Sequence, residues 1–464
     1  MHIFSLKLFC LTTLCVLTAI WAFSQNALHS AERAQKIADS ASEINNETQT
    51  AQKTTNMLTT STTTSTKITS LGEDLRFGGS KQIDGYIFRD SQTTYSPATE
   101  IRAIWITRGN YKTPDDIKKI VENCAKYNIN MLVFQVRGNG TVFYKSKLEP
   151  WAYELTSSNI STLGQDPGWD PLQVAVDESH KHGLKLIAWL NTFPAWRGVE
   201  DPPKDVPQLW NTHRDWFMKD SAGNFMIPGP PNEGWYRFIT PTLPQVQDYI
   251  RDIYTEIVKN YDVDGIHFDY VRYPGEIGDF GYDSVSLAMF KEKTGGTPTQ
   301  FPEEWNQFRR DGVFATVSKT FNSVTAIKPD IIVTAAVIGN ADRGRNAHFT
   351  SSKDWFSAGV MDLTMPMGYT GDTIRFREMN ETQIKNANGR YVAPGIGVGG
   401  RWANNEELLG EEIQIARELG GQGVTFFAYN GLFPHNQPNE LADYLLKGPF
   451  SKPAVIPDLP WRNK

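Results

Sequence analysis

Cysteine is scarce in this chain of 464 residues, and two of its three cysteines, Cys10 and Cys15, lie near the N-terminus. Beyond that segment only Cys124 remains, on a predicted helix, which excludes an internal disulfide in the rest of the chain. Basic residues are not in excess either, because 46 Lys and Arg are set against 52 Asp and Glu. The net charge of −6 argues against nucleic acid as the main partner, since a nucleic-acid-binding protein presents a basic face.

Several catalytic motifs are also missing. The chain contains no His-Glu-x-x-His, and its His180 and His182 flank a predicted helix end, where a cation complements the helix dipole. No Gly-x-Ser-x-Gly elbow is present, so acyl transfer by a serine triad is unsupported. We therefore expect neither a metal site nor a cofactor.

The first residues are typical of a targeting segment. Lys7 provides a positive charge, residues 8–23 are apolar apart from threonine, and Ala22 and Ser24 are small residues where signal peptidase reads the chain. This run is short for a membrane-spanning helix, and an uncleaved anchor is the alternative to cleavage. Residues 1–24 thus predict a signal peptide or anchor. We expect export to the periplasm or the extracellular space, with membrane attachment only through an uncleaved anchor.

Residues 25–99 differ in composition from the rest of the chain. Ser, Thr, Ala, Gln and Asn dominate residues 26–69, and residues 59–66 are all Thr or Ser. Such a stretch cannot bury enough apolar surface to offset the entropy lost on ordering. We interpret residues 25–99 as a low-complexity tether and transition, and we expect order to begin near Glu100.

From residue 100 onward, apolar strands alternate with helical periodicity. The strands are predicted at residues 101–106, 131–136, 184–190, 331–337, 361–367, 391–397 and 423–429, with a further strand, the fourth, within residues 264–274. Helix starts are also marked, since Thr113 can cap a helix that has Pro114 in its first turn.

Near-continuous apolar strands of this kind are typical of a parallel sheet that is buried on both faces. The strand–helix units over residues 100–448 predict an α/β fold, a (β/α)₈ TIM barrel with long loop insertions, and residues 449–464 form a C-terminal tail that lies against the outside or is loose. A doubly wound sheet is the competing architecture. It normally carries a Gly-rich phosphate turn after its first strand, and residues 108–111 are not such a turn.

The fourth strand carries the most informative residues. Because side chains alternate along a strand, His267 and Asp269 share one face while Ile266 and Phe268 take the other. His and Asp side chains on the inner face of a buried strand cost free energy unless other groups pair with them. They form either a salt-linked core pair or, as we favour, a carboxylate at the mouth of the barrel, where TIM-barrel active sites lie.

Glycoside cleavage needs two carboxyl groups, one protonated and one ionised. Asp269 is the first candidate, and a nearby Arg137 or Arg272 would hold it ionised as a nucleophile or base. Asp372, after the sixth strand, and Glu149, after the second, are catalytic candidates for the other role. Glu276 is a further loop carboxylate at the rim, whereas Asp264 lies at the opposite, N-terminal end of its strand and is excluded.

The other strand ends provide polar and aromatic groups that suit a sugar. The substrate-binding candidates are His267, Arg137, Asn191, Trp189, Arg272, Tyr273, Tyr369, Arg401, Tyr429 and Asn430. One carboxylate needs at most one arginine, so the surplus arginines indicate an anionic sugar, whose carboxylate a guanidinium can bind at two points. The alternative is that these arginines only orient the catalytic carboxylates.

Several motifs, in one order, resemble the bacterial family of glycosyl-hydrolase-like family 10 proteins. They occupy residues 135–138, 143–151, 166–172, 182–191 and 263–269, and the resemblance covers residues 101–446. It implies an exported TIM-barrel glycosidase that cleaves peptidoglycan glycan strands stripped of stem peptides. The family usually has a second acid directly after the strand-four Asp, and this chain has Tyr270 there, so its mechanism or substrate can differ.

A chitinase and a non-catalytic glycan-binding protein are the alternatives to this glycosidase. Chitinases of family 18 carry a catalytic Glu two positions after the last Asp of a similar strand-four motif. That position is Val271 here, which disfavours a substrate-assisted mechanism. A catalytically silent glycan-binding barrel at the cell surface is the alternative to a glycosidase.

Overall fold

The computed structural model describes residues 81–83, 86–88, 96–198, 200–226, 236–275, 277–400 and 402–462. The predicted targeting segment and most of the tether lie outside these residues, as do Glu276 and Arg401. Within the described part of the chain, no helix is both long and apolar enough to cross a membrane.

The strands include a closed parallel barrel and two antiparallel pairs. In chain order they are β1 (Lys81–Ile83), β2 (Tyr86–Phe88), β3 (Ile101–Ile106), β4 (Met131–Arg137), β5 (Lys185–Asn191), β6 (Pro194–Arg197), β7 (Tyr236–Phe238), β8 (Gly265–Asp269), β9 (Ile332–Ile338), β10 (Leu363–Met367), β11 (Tyr391–Val392), β12 (Gly395–Gly397) and β13 (Gly423–Phe427). The order around the barrel is β3, β4, β5, β8, β9, β10, β11 with β12, and β13. Because β13 also pairs with β3, the sheet closes, and the predicted (β/α)₈ barrel is confirmed.

The seventh barrel strand departs from its prediction as one continuous strand. It consists of β11 and β12, and both pieces pair with β10. Pro394 lies between them. Proline has no backbone N–H to donate, so the ladder of hydrogen bonds is interrupted at this point.

Helices surround the barrel. In chain order the α-helices are α1 (Pro114–Lys126), α2 (Pro171–Lys181), α3 (Leu209–Thr212), α4 (Pro244–Asn260), α5 (Ser284–Thr294), α6 (Pro302–Ile327), α7 (Ala341–Ala347), α8 (Ser352–Ser357), α9 (Thr373–Lys385), α10 (Glu406–Glu418), α11 (Tyr429–Leu432) and α12 (Glu440–Lys447). Thr113 caps α1 as predicted, in a reciprocal box with Asp116. Cys124, on the same helix, is a buried free thiol.

Strand alternation divides the core into two layers. Trp105, Val133 and Trp189 belong to a cluster inside the barrel, whereas Ile104 and Leu132 pack outward in the larger cluster with the helices. This division follows from the period of two along a strand. At the carboxyl ends of the strands, the inward-facing side chains therefore lie where the barrel interior meets the loops.

The C-terminal tail packs across the N-terminal end of the barrel. The N–H of Glu100 donates to the carbonyl of Val455 at 2.9 Å, and the N–H of Val455 donates to the carbonyl of Ala98 at 2.9 Å. Trp461 Nε1 and Arg462 Nη2 donate to the fully buried Asp362 at 2.7 and 2.6 Å. The described tail is therefore tied to the barrel and is not loose.

Candidate active site

A cavity of about 550 Å³ lies at the carboxyl ends of the barrel strands. Its lining comes from the strand ends and from the loops that follow them. The aromatic members are Trp105, Tyr111, Trp189, Tyr236, Tyr270, Tyr369 and Phe427, and the charged ones are Arg108, Lys112, Glu154, Arg197, Asp269 and Arg272. This is the end of the barrel where active sites of TIM-barrel enzymes are built.

The aromatic rings support one another at the base of the cavity. Tyr369 stacks on Phe427 with ring centroids 5.0 Å apart, and Trp105 meets both rings edge-on, with centroids 6.1 and 5.9 Å away. Such contacts fix ring orientation and present apolar faces. Faces of this kind match the C–H faces of pyranose rings.

Asp269 ends β8 and is only 6% exposed. Its Oδ1 accepts the N–H of Tyr270 at 2.6 Å and lies 3.5 Å from Nη1 of Arg272. Burial raises the pKa of Asp269, although Arg272, the Tyr270 N–H and Trp189 act to lower it. Arg272 therefore favours the ionised carboxylate as expected, but burial acts more strongly in the opposite direction, and a carboxyl with a raised pKa suits a proton donor.

Tyr270 occupies the position after Asp269 with a left-handed backbone, at φ 48°. A non-glycine residue in this region is strained, and such strain clusters at functional sites. The Tyr270 ring packs edge-on against Tyr236 at 5.4 Å, and the Arg272 guanidinium lies 4.3 Å from its centroid. Tyr270 thus fixes both an amide donor and an arginine beside the carboxyl.

Among the described residues, Glu154 is the other carboxylate that lines the cavity. It lies in the 3₁₀ turn Tyr153–Leu155, with Oε1 3.8 Å from Nε of Arg108. Its Oε2 is buried and has no hydrogen-bond partner in the described part of the chain. Sequence reasoning missed Glu154, because nothing in the loop after β4 distinguishes it from Glu149.

Glu149 and Arg137 are not in the cavity lining. Arg137 Nε and Nη2 donate to the Glu149 carboxylate at 2.8 and 2.7 Å, and both side chains are 1% exposed. Tyr249 donates to the same carboxylate at 3.0 Å, and Arg137 Nη1 donates to the carbonyls of Thr192 and Pro194 at 3.2 and 3.1 Å. A buried ion must be paired, and each of these two satisfies the other. The expected catalytic role of Glu149 and substrate-binding role of Arg137 are corrected accordingly.

Asp372 is also placed outside the cavity lining. It is the exposed N-cap of α9, and its Oδ1 accepts the N–H groups of Ile374 and Arg375 at 3.0 and 3.1 Å. Its position after the sixth barrel strand suggested chemistry, but its observed role is to satisfy helix donors. Its catalytic role is corrected as well.

His267 is fully buried beneath the cavity and does not pair with Asp269. Trp105 Nε1 donates to His267 Nε2 at 3.2 Å, so the proton is on Nδ1, which lies 2.8 Å from Thr334 Oγ1. Burial lowers the pKa of His267 to about 3, which keeps the ring neutral. His267 therefore holds Trp105 in place, which corrects the expected contact with substrate.

Four of the predicted binding residues are brought together around Asp269. Asn191, Trp189, Arg272 and Tyr369 line the cavity with it. Asn191 Oδ1 accepts from Gln135 Nε2 at 3.1 Å and from Trp189 Nε1 at 3.2 Å. The amide thus orients the indole at the cavity wall.

Three other predicted residues are placed elsewhere. The Tyr429 hydroxyl accepts from Asn123 Nδ2 at 2.8 Å, on the helix side of the barrel. Asn430 is exposed outside the cavity lining, and Tyr273 is buried against Phe349 with centroids 5.5 Å apart. The predicted bracketing of a sugar by Tyr429 is therefore corrected. Within the described residues, no group of three or more His, Cys, Asp or Glu side chains is placed to hold a metal ion.

The family model described as glycosyl hydrolase-like 10 matches residues 100–392. The chain is 28% identical over 274 residues to glycosyl hydrolase DigH of Escherichia coli K12, covering 54% of this chain and 56% of that protein. It therefore spans about half the length of that relative. It is 25% identical over 405 residues to glycosyl hydrolase YngK of Bacillus subtilis, covering 78% and 74% of the two chains.

Solved structures share the fold at low sequence identity. The PgaB glycoside hydrolase domain of Bordetella bronchiseptica has a TM-score of 0.54 and 13% identity, covering 75% of this chain and 99% of that one. The catalytic domain of β-amylase from Paenibacillus polymyxa has a TM-score of 0.54 and 11% identity, covering 77% and 100%. At these identities the likeness concerns the fold alone.

Proposed function

The chain belongs to the glycosyl hydrolase-like 10 family, and we propose that it is a glycoside hydrolase that cleaves a cell-envelope polysaccharide at the cavity around Asp269. One observation carries the proposal: a buried carboxyl with a raised pKa stands at a barrel strand end, in a cavity with aromatic walls. Such a carboxyl can donate a proton to a glycosidic oxygen.

Asp269 acts as the general acid. Its proton moves to the glycosidic oxygen as the bond from the anomeric carbon to that oxygen breaks, and the oxygen keeps the electron pair. Glu154 takes a proton from a water molecule, whose oxygen bonds to the anomeric carbon. Each carboxylate has its own arginine, because Arg272 lies 3.5 Å from Asp269 and Arg108 lies 3.8 Å from Glu154. This inverting scheme requires the two carboxyl groups to lie about 6.5–9.5 Å apart, so that the water fits between the sugar and Glu154.

The substrate we propose is peptidoglycan glycan freed of its peptides. Four cationic residues line the cavity, Arg108, Lys112, Arg197 and Arg272, against the carboxylates Asp269 and Glu154. This local positive surplus stands out in a chain whose net charge is −6. A muramyl residue without its peptide carries a free lactyl carboxylate, which a positive cavity attracts. The predicted N-terminal export segment is consistent with an envelope substrate.

The test is hydrolysis of defined glycans by the purified protein. New reducing ends are measured with peptide-free peptidoglycan strands and with chitin oligomers of equal length. We expect faster cleavage of the peptidoglycan strands and none by the Asp269→Asn variant. Binding of glycan without new reducing ends would favour the silent glycan-binding barrel, and activity only on neutral glucans would contradict the envelope substrate.

A further inference from the structure

The guanidinium of Arg108 occupies the space that a side chain at Gly138 would need. A Cβ at Gly138 would come within 2.6 Å of Arg108 Nη1 and 2.7 Å of its Cζ. Arg108 lies two residues after the end of β3 and Gly138 directly follows β4, so this contact joins the ends of two neighbouring strands. The missing side chain at Gly138 is what allows the guanidinium to lie in the cavity wall.

Arg108 makes few hydrogen bonds for an arginine whose side chain is only 11% exposed. Its Nη2 lies 3.3 Å from the Tyr236 hydroxyl, and its Nε lies 3.8 Å from Glu154, beyond hydrogen-bond distance. Its Nη1 makes no hydrogen bond within the described part of the chain. Two other arginines of this region already have close partners. Arg137 is bound by Glu149 at two points, and Arg272 lies over the ring of Tyr270.

Two further cations, Arg197 and Lys112, line the cavity. The Arg197 guanidinium lies 5.8 Å from the centroid of the Tyr236 ring, whose hydroxyl is bonded by Arg108. Glu154 is the carboxylate on this side. Arg108, Arg197 and the Tyr236 hydroxyl thus stand against one carboxylate, Glu154, and this arrangement leaves capacity for an anion.

We propose that Arg108, with Tyr236 and Arg197, forms a subsite that binds a carboxylate carried by the sugar chain. This subsite rests on the proposed function and names the substrate feature that the cavity selects. The planar guanidinium suits a carboxylate, to which it can donate two parallel hydrogen bonds. A lactyl ether or a hexuronic acid would each supply that group.

The experiment measures binding, so that its outcome does not depend on turnover. The full chain carrying Asp269→Asn is titrated calorimetrically with a peptide-free tetrasaccharide of alternating N-acetylglucosamine and N-acetylmuramic acid, and with chitotetraose. The two ligands have the same backbone and differ in the lactyl groups. A tetrasaccharide of alternating glucuronic acid and N-acetylglucosamine is the third ligand, and it distinguishes the two sources of carboxylate.

We expect the muramyl ligand to bind more tightly than chitotetraose, and Arg108→Met to weaken the muramyl ligand about tenfold or more. Binding of chitotetraose should change little. Gly138→Ala provides a second variant, because the added methyl group displaces a flexible guanidinium while retaining its charge, and it should remove the same preference. Arg251→Met, on the outer face of α4, is the matched control for losing one arginine charge.

Opposite results would overturn the subsite. The subsite is contradicted if the cavity with Arg108 intact binds the muramyl ligand and chitotetraose equally tightly. It is also contradicted if Arg108→Met weakens the binding of both ligands to the same extent. Tighter binding of the glucuronic acid chain, lost in both variants, would keep the subsite and assign it to hexuronic acids. If the muramyl preference holds while the enzyme releases no reducing ends, the subsite stands and the proposed hydrolysis fails.

Discussion

Arg137 and Glu149 are joined at two points, with Nε–Oε2 at 2.8 Å and Nη2–Oε1 at 2.7 Å, and neither side chain is exposed by more than 1%. The pair ties the end of β4 to the loop that follows it. Through Arg137 it also reaches the carbonyl of Pro194 at 3.1 Å, at the start of β6. The loop that carries Glu154 and the strand that carries Arg197 are therefore held by the same buried ion pair.

Removing one partner of this anchor should destabilise the protein. Arg137→Ala leaves the Glu149 carboxylate buried without its cation, and we expect a loss of about 3–5 kcal/mol in the free energy of unfolding. Urea denaturation measures it, and the double variant Arg137→Met with Glu149→Gln should recover part of the loss. If Arg137→Ala is as stable as the parent protein but no longer prefers the muramyl ligand, Arg137 binds substrate instead.

Replacing the general acid should abolish activity without unfolding the protein. Asp269→Asn keeps the shape of the side chain and removes its proton, so kcat should fall by at least on the order of 10²-fold. The melting temperature should not fall, because burial already disfavours the charged form of Asp269. Asp372→Asn is the control, since an asparagine N-cap retains the helix contacts and should leave turnover unchanged. Turnover that survives Asp269→Asn would assign the chemistry to another group.

The pH profile should report the carboxyl of Asp269. A general acid must hold its proton, so kcat/KM should decline as pH rises through the raised pKa of Asp269. Arg272 lowers that pKa, and Arg272→Met should therefore move the decline to higher pH. Profiles of the two proteins on one glycan measure the shift. A decline that moves to lower pH, or stays in place, would show that another group controls it.

Glu412 should make stability depend on pH. This residue of α10 is fully buried, neither carboxyl oxygen has a hydrogen-bond partner among the described residues, and burial, with Glu411 nearby, raises its pKa to about 8. Between the ordinary value of 4.5 and about 8, the unfolded chain releases a proton that the folded chain keeps. Stability is therefore fully present below that window and is lost as pH rises through it, by about 1.4 kcal/mol per pH unit.

Glu412→Gln removes this titration. Urea unfolding at pH 5 and pH 9 should show a smaller difference for the variant than for the parent protein. The variant should also be the more stable of the two at pH 9. Identical pH dependence in both proteins would mean that Glu412 does not titrate across this range.

The C-terminal tail should contribute to stability and leave catalysis unchanged. Ending the chain at residue 448 removes Trp461 and Arg462 from the buried Asp362. Among the described residues it leaves Arg390, 3.6 Å from that carboxylate, as the cation still paired with it. We expect a lower melting temperature with an unchanged kcat/KM, because this contact lies at the end of the barrel opposite the cavity. A truncated protein with a normal melting temperature would contradict the role of the tail.

The sequence alone was sufficient to predict the barrel and its central carboxylate. Apolar strands, helix caps and the alternation along residues 265–269 depend on neighbours a few positions apart, so the placement of Asp269 at an inner strand end could be read directly. The same local reasoning located Trp189 and Asn191 at the mouth of the barrel.

Only the tertiary structure decided which charged groups enter the cavity. By alternation Arg137 should share the inner face of β4 with Gln135, but the register with β5 shifts between these two residues, and Arg137 pairs with Glu149 instead. Glu154 and Arg108 meet through contacts of their loops with distant strand ends, such as the close approach of the Arg108 guanidinium to Gly138. Loop paths of this kind depend on packing between residues far apart in the chain, and local periodicity carries no information about them.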